Sequence, residues 1–286
     1  MASGLPDALA AFASASVGEV VGVVDRSWAR ENSAVWELTT ASAGRFFLKR
    51  HPSSKFHERE VTALRQLMPC LERDRAPELV AADRGLLAVV VTALPGEVAL
   101  GAALPVAEER ELYLQAGLLA SRIHSLGIEV SGAQGFEGVV GRCEEHLREA
   151  DGLLASQEVA LVRECAARLA VVAPSLPVNA THGDFQPRNF LWDRNQRRLA
   201  LIDFERAELG PPIRDLVRLE SGPWDGRPDL REAFLNGYGR QLTARERAAL
   251  LCMEALDTLS GLLWSTEHGD VEVAQRARAS FARLLR

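Results

Sequence analysis

Apolar and polar positions change rhythm about a third of the way along the chain. Val20–Val24 is a β-branched run, Ala34–Thr40 alternates, and Arg45–Lys49 reads as a short apolar strand ending on a lysine. Ser42-Ala43-Gly44 lies between the last two as a turn, so the pattern predicts an antiparallel hairpin. Val61, Leu64, Leu67 and Met68 recur at helical spacing, predicting a helix over His57–Met68 that Pro69 stops. Leu79–Ala82 and Leu86–Thr92 predict two further strands around Asp83-Arg84-Gly85. Leu94-Pro95-Gly96-Glu97 then interrupts the pattern.

Beyond this break the period is helical over Val106–Leu126, Val139–Leu154, Glu158–Val172, Pro228–Gly239, Thr243–Trp264 and Val271–Leu285. Thr243 and Glu246 supply a capping box for the fifth of these. One exception is His182–Glu205, where two apolar runs, Asn189–Trp192 and Leu199–Asp203, flank the polar turn Asp193–Arg198 and predict a β-hairpin. The expected architecture is α+β and bilobal. A small β-rich lobe with a five-stranded sheet and a helix spans 1–92, a hinge 93–98, and a larger, mainly helical lobe carrying the hairpin 99–286.

Composition narrows the function. At 47% hydrophobic and 25% charged residues the chain is globular rather than disordered or coiled-coil. A net charge of −6 argues against a nucleic-acid or anionic-membrane partner. Cys70, Cys143, Cys165 and Cys252 show no metal or disulfide spacing, which suggests free thiols in a cytoplasmic protein. The Ala-rich N-terminus has no basic segment and carries Asp7, unlike a secretion leader, and the longest apolar run, Leu86–Leu94, is about half a membrane span. Of 33 basic residues only Lys49 and Lys55 are lysine, a bias of the kind a GC-rich genome leaves. Each surviving lysine therefore raises the question of what a point charge does there that an arginine fork would not.

Ionisable residues gather on the hairpin. Thr181-His182-Gly183-Asp184-Phe185-Gln186-Pro187-Arg188-Asn189 leads into its first strand, and Leu201-Ile202-Asp203-Phe204-Glu205 ends its second. Two carboxylates and an amide at one end of a hairpin offer hard oxygen ligands suited to Mg²⁺.

HGDFQPRN followed by IDFE resembles the catalytic and metal-binding loops of the aminoglycoside phosphotransferase and choline kinase branch of the protein-kinase-like fold. The resemblance implies that Asp184 is the catalytic residue at the acceptor hydroxyl. Asn189 and Asp203 would hold Mg²⁺ on the ATP phosphates, while His182 and Asp215 would support the catalytic loop. Gly183 and Gln186 stand where protein kinases carry Arg and Lys, which fits the small-molecule branch better. The resemblance also implies a phosphate-binding lysine at the end of the third strand, paired with a helical glutamate. Lys49 is so placed, and Glu60 fits the spacing better than Glu58. The nucleotide loop, Ser27–Ser33, has no glycine, so Asn32 and Ser33 are either the phosphate contacts or part of a plain polar turn. The hinge segment Thr92-Ala93-Leu94 would present backbone groups to the adenine. His124 is expected to pack rather than ligate.

These features imply an ATP- and Mg²⁺-dependent phosphotransferase acting on a small-molecule hydroxyl acceptor, most simply an antibiotic such as an aminoglycoside or nucleoside. Glu205, Glu208, Asp225, Glu267 and Asp270 are candidates for meeting a cationic acceptor. Metabolite kinases of homoserine, sugar or choline type are the alternative, along with a nucleotide-binding pseudokinase. A metal-dependent hydrolase would want more histidines than the six scattered here.

Overall fold

The computed structural model describes residues 4–27, 34–126 and 137–286. In chain order the elements begin with α1 (Asp7–Val17), β1 (Val20–Asp25), β2 (Ala34–Thr40), β3 (Arg45–Arg50) and α2 (Ser54–Thr62). β4 (Leu79–Asp83), β5 (Ala88–Thr92), β6 (Glu97–Val98), α3 (Val106–His124), α4 (Glu137–Gly141), α5 (Cys143–Glu149) and α6 (Ser156–Val172) follow. Next come β7 (Asn179–Thr181), β8 (Phe190–Asp193), β9 (Arg198–Leu201) and β10 (Glu208–Gly210). The chain closes with α7 (Val217–Glu220), α8 (Pro228–Tyr238), α9 (Ala244–His268) and α10 (Val271–Leu284). Contacts divide it into one unit of Met1–Glu108 with His182–Glu208 and another of Glu109–Thr181 with Leu209–Arg286.

The first unit holds a five-stranded antiparallel sheet in the order β1-β2-β3-β5-β4. Trp36 pairs with Leu48 across β2 and β3, and Leu48 with Val90 across β3 and β5. These apolar positions share one face and pack against Leu9 and Ala13 of α1. α1 has no signal in the apolar pattern, because Ala and Ser dominate it and only packing on the sheet reveals its buried side. The expected helix over His57–Met68 is instead α2, a wide π turn over Ala63–Leu67 and a tight turn over Met68–Cys70. The α-helix itself ends earlier than expected, at Thr62, and Pro69, which has no N–H to give, falls in the first turn of the tight segment rather than at its end.

The hairpin forms with Phe190 opposite Leu201 and Asp193 opposite Arg198. Its contacts group it with the β-rich unit rather than with the helices of 99–286. β6 adds to β8, the Leu201 N–H donates to the Arg75 carbonyl at 2.8 Å, and Arg75 Nη1 donates to the Leu199 carbonyl at 2.8 Å.

In the second unit α9 is the central helix, flanked by α6 and α10. It is long and apolar enough to cross a membrane, but 61% of its most apolar window is buried within the protein, as in a core helix. Thr243 caps it through the Glu246 N–H, as predicted, and Gly269 ends it in the left-handed region at φ 66°. The helix expected over Val139–Leu154 is broken into α4 and α5, and the short pair β7–β10 has no signal in the apolar pattern.

Candidate active site

Lys49 lies on the face of β3 opposite Leu48, so its neighbours are polar. Its ammonium lies 3.3 Å from Glu60 Oε2 of α2 and 2.9 Å from Glu205 Oε2, and it also donates to Asp203 Oδ1. Glu58 pairs instead with the exposed Arg84, which settles the helical partner as Glu60. Burial alone would lower the Lys49 pKa, but Asp203, Glu60 and Glu205 outweigh it and hold the ammonium charged well above its ordinary range. Burial raises the Asp203 carboxyl, with the lysine offsetting only part of that. Asp203 also adopts φ 68°, an unusual backbone for a residue with a Cβ.

Asp184 is almost fully buried, and donors surround its carboxylate. Gln186 Nε2 reaches Oδ1 at 2.5 Å, while Arg188 Nη2 and Asn189 Nδ2 reach Oδ2 at 2.8 Å each. Asn189 Nδ2 also donates to the Asp184 backbone carbonyl at 2.8 Å. With its nitrogen so committed, the amide has its oxygen left to serve a cation. The Asn189 carbonyl accepts from Ile202 N–H at 3.0 Å, which ties the start of one strand to the residue preceding Asp203. An amide oxygen and a carboxylate that already attracts an ammonium are a donor set that fits Mg²⁺.

His182 supports this loop from within. The Asp184 N–H donates to its Nδ1 at 3.3 Å, and its Nε2 donates to the Ile202 carbonyl at 3.1 Å. These bonds orient the ring and join the two ends of the hairpin, while Phe204 and Phe185 enclose it. Gly183 adopts φ 78°, and a Cβ there would overlap the carbonyl oxygen of Arg206, so glycine is required where a protein kinase carries arginine.

The other expected residues divide. Asp215 lies in the second unit, where its Oδ2 is 3.0 Å from His124 Nε2; His124 Nδ1 meets the Tyr238 hydroxyl at 3.0 Å, the packing role expected of that histidine. In the hinge segment the Thr92 N–H donates to the Glu78 carbonyl and the Ala93 N–H to the Arg45 carbonyl. Of the three N–H groups, only that of Leu94 has no partner among the described bonds. Asn32 and Ser33 lie outside the described residues.

Four of the five candidate acceptor carboxylates are already engaged. Glu205 is buried against Lys49 and His51, a role its exposed-looking sequence context did not suggest, and Glu208 pairs with Arg59. Asp225 pairs with Arg283 at 3.2 Å. Glu267 is exposed beside His268, and Asp270 caps α10 by accepting from the Glu272 and Val273 N–H groups. Sequence reasoning also missed His51; its position two residues beyond Lys49 on the same strand face was the available signal.

The model of the phosphotransferase enzyme family matches residues 26–251. Among solved structures, the GDP complex of aminoglycoside 2'-phosphotransferase-IIIa superposes with a TM-score of 0.75 at 15% identity, covering 97% of this chain and 96% of that one. The gentamicin complex of the aminoglycoside phosphotransferase APH(2")-IIa gives 0.69 at 16% identity, covering 98% and 97%. A macrolide 2'-phosphotransferase from Brachybacterium faecium gives 0.64 at 18% identity, covering 96% and 97%. The fold is thus the bilobal, kinase-like α+β architecture of these proteins.

Proposed function

The chain belongs to the phosphotransferase enzyme family, and from that membership we propose that it moves the γ-phosphoryl of ATP to a hydroxyl of an antibiotic. Membership makes it a small-molecule kinase with an alcohol group as acceptor. The proposal adds an aminoglycoside, nucleoside, macrolide or related acceptor, a part in resistance or self-protection, and a cytoplasmic setting in which the four free thiols stay reduced.

The observation that carries this reading is the ion pair of Lys49 with Asp203, residues 154 positions apart, beside the Asp184–Asn189 hydrogen bonds. Lys49 neutralises charge on the phosphates, and Glu60 and Glu205 hold it in place. Asp203 and Asn189 would hold Mg²⁺, which when bound supplies Lewis-acid neutralisation of phosphate charge. Asp184 orients the acceptor hydroxyl and takes its proton late, as the new O–P bond forms and the β–γ bond breaks with its electron pair leaving on the nucleoside diphosphate. Asp215, through His124, belongs to the support of the second unit, and Leu94 offers a backbone donor for the base.

Transfer from γ-labelled ATP, or from GTP in a parallel arm because one similar structure holds GDP, is measured with Mg²⁺ and a panel of acceptors. The panel contains aminoglycosides, nucleosides, macrolides, homoserine, sugars and choline. A labelled antibiotic supports the reading, and a labelled metabolite alone replaces it with a metabolite kinase. Nucleotide binding with no transfer to any acceptor points to a pseudokinase.

A further inference from the structure

His51 follows β3 and belongs to neither of the loops that carry the reaction, yet its side chain is fully buried. Its backbone N–H donates to the Leu87 carbonyl at 2.9 Å, which extends the strand by one residue and turns the imidazole to the same face as Lys49. His51 Nε2 lies 2.9 Å from Glu60 Oε2 and its Nδ1 lies 3.3 Å from Glu205 Oε2. Those are the two oxygens that face the Lys49 ammonium. Lysine, glutamate, histidine and glutamate therefore close a buried ring. His51, Glu60 and Glu205 together have the make-up of a cation-binding group, and the Lys49 ammonium is the cation among them.

We infer that His51 is a positioning residue for Lys49, held as an imidazolium that bridges Glu60 and Glu205. Each ring nitrogen lies at ion-pair distance from a carboxylate, so a charge on the ring is attracted from both sides, although neither nitrogen is aligned for a hydrogen bond. The charge count agrees. Glu60, Glu205 and Asp203 face Lys49, so a charged His51 leaves the cluster one negative charge in excess and a neutral His51 leaves it two. Glu60 and Glu205 hold the ammonium at ion-pair distance, and a hydrogen bond from it goes to Asp203. That donor would be available to a phosphate oxygen if Asp203 held a metal.

The groups facing His51 favour this state. Burial opposes the charge, but Glu205 and Glu60 outweigh it and raise the histidine above its ordinary range. Glu205 is held down to about 2 and Glu60 below its usual value, so both stay ionised. Lys49 stays protonated, and the neighbouring His57, 5.8 Å away between ring centres, is lowered chiefly by burial. The bridge is therefore fully present below the ordinary histidine value and is lost as pH rises through the raised His51 value.

The consequence for nucleotide binding rests on the kinase reading above, whereas the protonation state does not. ¹H–¹⁵N spectra of the ligand-free protein at neutral pH should show both His51 ring nitrogens protonated, with His51→Gln identifying the signal. A neutral imidazole there overturns the inference even if the variant fails to fold. In the folded variant, nucleotide KM should rise by about tenfold at neutral pH, a change of ~1.4 kcal/mol, with kcat moving less. The wild-type rise of KM with alkaline pH should disappear in His51→Gln and persist in His57→Gln. An unchanged KM and pH profile in His51→Gln overturns the inference. If no acceptor is phosphorylated, calorimetric nucleotide affinity takes the place of KM and only the kinase reading falls.

Discussion

Asp184 and Asp203 are both aspartates at the edge of the same hairpin, yet they sit in opposite surroundings. Hydrogen-bond donors hold Asp184, whereas Asp203 meets a lysine amid other carboxylates. Their substitutions should therefore fail differently. Asp184→Asn is expected to leave nucleotide affinity within a few-fold and lower kcat by about 10²–10⁴, read by steady-state kinetics beside calorimetry. Asp203→Ala should instead abolish the Mg²⁺ dependence of nucleotide binding in the same calorimeter. Gly183 gives a test of the loop itself. The left-handed backbone and the approach of the Arg206 carbonyl leave no room for a methyl, so Gly183→Ala should cost about 1–3 kcal/mol by denaturant unfolding and depress turnover. The motif residues Asp184, Asn189 and Asp203 were legible in the sequence because fixed spacing on one hairpin brings them together. Glu205 was legible only as an acidic residue. Its burial against Lys49 follows from the packing of β3 and α2 near the strand end, which no local pattern encodes.

Elements were most legible where a long periodic face meets a clear stop. α8 and α9 follow the expected ranges closely, with glycines at 239 and 269 in the left-handed region closing them. α1 was not legible, since its buried face is little more than Leu9 and Ala13, and the π turn after α2 leaves the apolar spacing almost unchanged. The contact between α3 and α8 depends on two glycines in helix interiors, where glycine is otherwise a poor choice. A Cβ at Gly117 would overlap the Phe234 carbonyl oxygen, and one at Gly237 the Leu114 carbonyl oxygen, so the two backbones touch reciprocally. Gly117→Ala and Gly237→Ala should each destabilise the protein by about 1–3 kcal/mol despite the gain in helix propensity, which chemical denaturation will measure. A stabilising effect at either position would contradict the close approach.

At the scale of the molecule, each unit carries buried charge with its own pH response. In the second unit Glu254 of α9 is buried beside Arg283, and burial, which the arginine offsets only in part, raises its carboxyl to about 7. The folded state keeps a proton that the unfolded chain has released, so stability should fall as pH rises from about 4.5 to about 7. Thermal unfolding followed across that window should show the decline in the wild type and a flatter profile in Glu254→Gln. Equal slopes would remove Glu254 as its source. His51 in the first unit runs over a different window. Its bridge contributes fully below the ordinary histidine pKa and is lost above the raised one.

By itself the sequence determined the α+β outline, the order of lobes and the spacing of Asp184, Asn189 and Asp203, because these are written in local periodicity and in residues a few positions apart. It also singled out Lys49, since a lysine kept in an arginine-rich chain stands out. Only the tertiary structure joined Lys49 to Asp203 and Glu205 across more than a hundred and fifty residues, chose Glu60 over Glu58, drew the hairpin to the β-rich unit and placed His51 between two glutamates. Those outcomes depend on which faces of distant elements meet. A buried charge must find its partner wherever the chain delivers one, and that distance does not register in any local pattern.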